Sequence, residues 1–96
     1  MTIRRDHFKA FASVVEKHID NYTVLQYGDA PNDQVQDWTP TQCMDCVKRY
    51  ANRIESNRRG RVEVLRDMLK IAHFACLAFG KLQPTAEEIR RISAGD

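Results

Sequence analysis

The chain predicts an all-α fold: an irregular bundle of three main helices and a short C-terminal fourth, with a long ordered or semi-ordered loop at about 21–38. Three observations carry this. Apolar residues recur at steps of three and four through most of the 96 residues. Two helix starts, at Thr39 and Thr85, carry a complete capping signature. Turn-forming residues gather between the periodic stretches, as in Gly28-Asp29-Ala30-Pro31-Asn32-Asp33. A chain of this length buries roughly 60–65% of its unfolded surface, enough for one modest core, so residues 1–96 are expected to form a single helical domain.

The first helix is expected over 6–20, where Phe8, Phe11, Val15, Ile19 and Tyr22 form the stripe, widened by Ala12 and Val14. Asp6 or Thr2 is its cap. His7 and His18 fall off that stripe. Residues 21–38 have no helical period and read as a packed connector, with a short strand at Tyr22–Tyr27 as the alternative. The second helix begins at Thr39-Pro40-Thr41-Gln42: Thr39 is the N-cap, Pro40 pre-sets the first helical φ, and Gln42 reaches back. Trp38 precedes it, placed to staple against Cys43. The stripe continues through Cys43, Cys46/Val47, Tyr50/Ala51 and Ile54. Asn57 and Gly60 separate it from the third helix, about 61–80. There Val62, Leu65, Met68/Leu69, Ala72, Ala75/Cys76 and Phe79, widened by Phe74 and Leu77, predict a central element buried on more than one side. Gly80 suits its end. The fourth helix opens with Thr85 and Glu88 as a capping box, Ile89 and Ile92 facing inward.

Composition excludes several classes. With 43% hydrophobic and 29% charged residues and a mean hydropathy of −0.54, the chain is not a disordered tail, a collagenous repeat or a disulfide-dense miniprotein. No apolar run approaches the roughly 20 residues that span a bilayer. The opening Met-Thr-Ile-Arg-Arg-Asp lacks the apolar centre of a signal peptide, so a cytoplasmic location with three free thiols is expected. The net charge of +2 hides an asymmetry. Residues 1–47 carry four basic and seven acidic side chains, a net of −3, whereas 48–66 carry seven basic and two acidic, a net of +5.

Arg49, Arg53, Arg58, Arg59 and Arg61 in that second segment are the candidate contacts for a phosphate-bearing or acidic partner, because guanidinium groups match phosphate and carboxylate geometry. Glu63 and Asp67, four apart on one helix face, could hold magnesium against a phosphate, or form ordinary ion pairs with Arg66 and Lys70. Cys43 and Cys46 with His73 and Cys76 supply four ligands of zinc type on facing helices, at positions equally suited to small core residues. The Cys43-Met44-Asp45-Cys46 spacing also occurs in redox proteins, but there it accompanies a βαβ unit that this chain lacks.

Arg49-Tyr50-Ala51-Asn52-Arg53, followed by Asp67-Met68-Leu69-Lys70-Ile71-Ala72-His73-Phe74, resembles a family of small phage and prophage proteins of unknown function, sometimes labelled "nucleotide kinase". Its signature is a basic-Tyr-x-x-Arg helix, a charged turn and Asp-Leu-x-Lys-Ala-x-x-Tyr. The resemblance covers about residues 35–82 and carries over Arg49, Tyr50, Arg53, Asp67 and Lys70; the Gly-Asn before the family's first motif is here Asp45-Cys46. It implies a location for function rather than a reaction, and no phosphate-binding G-x-x-x-x-G-K-[ST] loop is present. The chain is also distantly similar to the all-α nucleoside-triphosphate pyrophosphohydrolases, but Val64 stands where their second motif has Glu, and Glu16 is alone in the first helix.

The function expected is that of a phage- or prophage-type accessory protein, non-enzymatic and cofactor-free, that binds a partner through the basic ridge at 48–66. The partner would be an acidic protein surface, a nucleic acid or a second copy of the chain, and not a membrane. The alternatives are a magnesium-dependent nucleotide hydrolase using Glu63 and Asp67, and a structural zinc module using Cys43, Cys46, His73 and Cys76.

Overall fold

The computed structural model describes residues 2–29, 37–56 and 58–95, and all its regular elements are helical. The first, α1 (Ile3–His18), is capped by Thr2, whose hydroxyl accepts the Arg5 N–H at 3.1 Å. Thr2 is therefore the cap, and Asp6 lies inside the first turn, where its charge favours the helix dipole.

The helix does not end near residue 20. It widens into a π-helical turn, Ile19–Thr23, in which Val24 N–H reaches the Ile19 carbonyl, and resumes as α2 (Val24–Tyr27). Gly28, at a φ of +83°, stops it. The loop expected at about 21–38 thus begins later, and Tyr22–Tyr27 is helical rather than a strand. The physical reason is the π turn itself: five residues per hydrogen-bonded step displace the side chains after it, which erases the 3.6-residue period from the sequence. The Ala30-Pro31-Asn32-Asp33 part of the expected turn, with 34–36, lies outside the described residues.

α3 (Pro40–Ser56) starts as the sequence dictates. The Thr39 N–H donates to Gln42 Oε1 at 2.7 Å and the Gln42 N–H to Thr39 Oγ1 at 3.2 Å. α4 (Arg61–Lys81) is entered through Gly60, at a φ of +91°. α4 ends one residue past Gly80, and the exit turn runs through Leu82 to Gln83, which takes a φ of 50°. α5 (Ala86–Ser93) carries the full Thr85–Glu88 capping box.

α3 and α4 form the most extensive pairing, and α1 lies more lightly on α4. α4 is thus central, although it is not enclosed: among the described residues only Cys43, Cys46, Ala78 and Asp67 are buried. Phe8 and Phe11 on α1 and Val62, Leu65, Met68 and Phe79 on α4 are exposed, as is Cys76, which the stripe would have placed inside. The inward orientation expected of Ile89 and Ile92 is also not met. They are 42% and 57% exposed, because α5 touches no other described element. No helix of the described residues is long and apolar enough to cross a membrane.

Candidate functional site

Arg49, Tyr50, Arg53, Asp67 and Lys70 meet at the α3–α4 pairing. Asp67 is 2% exposed, and Arg53 closes on it with both arms of its guanidinium: Nε lies 3.0 Å from Oδ2, and the terminal nitrogen bonds Oδ1. This bidentate geometry is the strongest that a carboxylate accepts. Arg53's hydrogen bonds hold the Asp67 carboxyl below its ordinary range, against the opposing effect of burial, and raise Arg53 in turn.

Tyr50, one turn earlier on α3, is surrounded by cations. Its ring centroid lies 4.8 Å from the Arg53 guanidinium carbon, 5.4 Å from that of Arg49 and 5.4 Å from Lys70 Nζ. Lys70 Nζ is also 5.5 Å from the Tyr22 ring, so one ammonium sits between an aromatic of α3 and one of the π turn. Burial lowers the proton affinity of Lys70, with Arg53 adding to the effect and Asp67 opposing it. Tyr50 also stacks with Phe74, centroids 5.9 Å apart, and Phe74 in turn with Trp38 at 6.2 Å, their planes tilted by only 16°. Trp38 therefore reaches across to α4.

All of these groups but Arg53 and Asp67 wall a cavity of about 350 Å³ between the N-terminal helix and the α3–α4 pair. His18, Tyr22 and Tyr27 line it from the first arm; Trp38, Arg49 and Tyr50 from α3 and its approach; Lys70, His73 and Phe74 from α4. Asp29 also lines it. His18 stacks on Tyr22 at 5.0 Å, and both of its ring nitrogens are buried without a hydrogen-bond partner among the described residues. Burial lowers its proton affinity, and the charges of Lys70, Arg66 and His73 lower it further.

The five arginines of the basic ridge do not converge. Arg53 is committed to Asp67, Arg59 lies 3.3 Å from Glu63, and Arg61 lines a separate shallow cleft with Ile54 and Val64. Arg58 is exposed. Arg49 alone faces the cavity.

The hydrolase pair is likewise divided. Glu63 takes Arg66 at 2.5 Å in addition to Arg59, and Asp67 takes Arg53. The zinc set is not assembled either: Cys43 and Cys46 are buried on α3 while Cys76 is exposed on α4, and among the described residues no three His, Cys, Asp or Glu side chains form a group able to hold a metal. Burial raises the Cys46 pKa above its ordinary value, the opposite of what a redox thiolate needs.

Tyr22, Trp38 and His18 are not marked as site residues by the sequence. The spacing of His18 and Tyr22, four apart, was the available signal, but the π turn that follows His18 aims Tyr22 at Lys70, and no residue type announces such a turn.

No protein-family model, curated protein or solved structure matches this chain.

Proposed function

We propose that the chain is a non-enzymatic binding protein for a small phosphate-bearing ligand of nucleotide type, held in the cavity between the N-terminal helix and the α3–α4 pair. The observation that carries this reading is the meeting of Arg49 and Lys70 with an aromatic wall of Trp38, Tyr50 and Phe74 around about 350 Å³ of space. That volume lies at the lower end of small-ligand pockets, and stacked rings beside cations are the chemistry that receives a base and its phosphate. An anion beside Lys70 would offset the burial that lowers its proton affinity.

The resemblance to the phage and prophage family fits this reading and narrows the ligand-facing set. Arg49, Tyr50 and Lys70 would meet the ligand, while Arg53 and Asp67 would hold the two helices that carry them. Arg58, Arg59 and Arg61 lie away from the cavity and have no part in it. Binding is favoured over turnover because both carboxylates of the hydrolase alternative are occupied by arginines.

Trp38 is the only tryptophan of the chain and lines the cavity, so its fluorescence reports occupancy. Titration with nucleoside mono- and triphosphates, inorganic phosphate and a short single-stranded DNA should quench or shift it for at least one nucleotide. Arg49→Glu and Lys70→Glu should each weaken that binding by about tenfold or more, and Arg58→Glu should leave it unchanged. Silence of the Trp38 signal and of calorimetry up to millimolar ligand would overturn the reading.

A further inference from the structure

We infer that the chain is completed by a second copy of itself, each copy laying α5 into the open α3–α4 cleft of the other. Helix α5 has eight residues and touches no other described element. A helix so short does not hold its shape in water on local hydrogen bonds alone, whatever its caps, because isolated helices below about 12–15 residues are marginal. Ile89 and Ile92, three apart, form one apolar stripe. Glu87 and Glu88 precede that stripe, and Arg90 and Arg91 are interleaved with its second half.

A matching surface exists on the same chain. Ile54, Val64, Leu65 and Met68 line the cleft where Arg61 lies, and Glu55 and Arg61 supply one charge of each sign at it. An α5 laid there would cover its two isoleucines and set Arg91 toward Glu55, Glu87 and Arg90 being paired with each other on α5 and Glu88 accepting the Thr85 N–H of its capping box. Its own cleft is a poor host. The turn at Leu82–Gln83 is bonded to the end of α4, the Leu82 N–H to the Ala78 carbonyl at 3.2 Å and the Gln83 N–H to that of Gly80 at 3.0 Å. The cleft around Leu65 and Met68 lies roughly 20 Å back along that helix, at 1.5 Å per residue, so α5 lays both isoleucines there within its own chain only if that bonded turn opens.

The surface area independently points to a second copy. The chain exposes 7632 Å², whereas a compact monomer of 11.1 kDa exposes roughly 5,700 Å². The excess, about 1,900 Å² per copy and so about 3,800 Å² for two, falls in the range of roughly 2,000–5,000 Å² that the two chains of an obligate homodimer bury together. A radius of gyration of 14.9 Å, against about 12.5 Å for a compact domain of this length, agrees. Reciprocal docking makes the contact self-complementary, so it closes at two copies and does not propagate.

Sedimentation equilibrium of the full chain should give twice the 11.1 kDa chain mass, with a thermal midpoint that rises with protein concentration. Ile89→Glu with Ile92→Glu, and separately Leu65→Glu, should each raise the dimer dissociation constant more than about a hundredfold, while Phe8→Glu on α1 should not. A monomer of constant thermal midpoint from low to high micromolar concentration would overturn the inference. So would a dimer that survives both the α5 and the cleft variants, or one that Phe8→Glu dissociates. The wild-type mass and its concentration dependence decide the matter even if a variant fails to fold.

Discussion

Arg53 and Asp67 are an unequal pair, and their inequality predicts how each tolerates loss. Asp67 is almost fully buried, whereas the Arg53 side chain is 32% exposed and can turn to water. Arg53→Ala leaves a buried carboxylate without its partner and should destabilise the chain by about 3–5 kcal/mol. Asp67→Asn should cost less, about 1–3 kcal/mol, because the released guanidinium can rehydrate. Urea unfolding monitored by helicity orders the two, and a larger loss for Asp67→Asn would contradict the assignment of Asp67 as the member that cannot stand alone. Arg53 also shows how far single residues were legible. Its chemistry is evident in the sequence, but not its commitment: a carboxylate fourteen positions away claims it, whereas the sequence offers Lys70 as the nearer partner for Asp67.

Among the elements, α3, α4 and α5 are readable almost to the residue: Thr39-Pro40-Thr41-Gln42 and Thr85 to Glu88 state the starts of α3 and α5 in hydrogen bonds that are local, and Gly60 marks that of α4. The N-terminal arm is not, since a π turn preserves helix while destroying its period. That arm meets α4 through a titratable contact. His18 lies at the end of α1 against Tyr22, and Lys70, Arg66 and His73 of α4 all disfavour its protonation, as burial does. With the folded value lowered, the unfolded chain binds this proton more readily, so stability falls as pH descends below about 6.5 and is fully present above neutrality. His18→Gln should flatten that slope in urea unfolding measured between neutral and mildly acidic pH. An unchanged slope would assign the effect to other groups.

For the molecule as a whole, the division of charge along the sequence is only slightly offset by pairing. Glu63 and Asp67 take up Arg59, Arg66 and Arg53, but Glu63 already belongs to the +5 segment, so Asp67 alone is added to its carboxylates. What composition could not convey was how little the chain encloses. Its apolar residues follow helical spacing as core residues do, but spacing states which residues share a face and not whether anything covers that face. Ile89 and Ile92 are the plainest instance, with a stripe as regular as that of α3 and no neighbour on it.

The uneven burial of the sulfurs gives the protein a chemical handle. Cys76 is exposed on α4, while Cys43 and Cys46 lie under the pairing of α3 with α4. An alkylating reagent should therefore modify one thiol of the native chain promptly and the other two only when that pairing opens. The first gives a single attachment point for a spectroscopic label. The slow modification of the remaining pair, followed by mass spectrometry, times how often the helical hairpin breathes, and three equally prompt modifications would mean that it is not closed in solution.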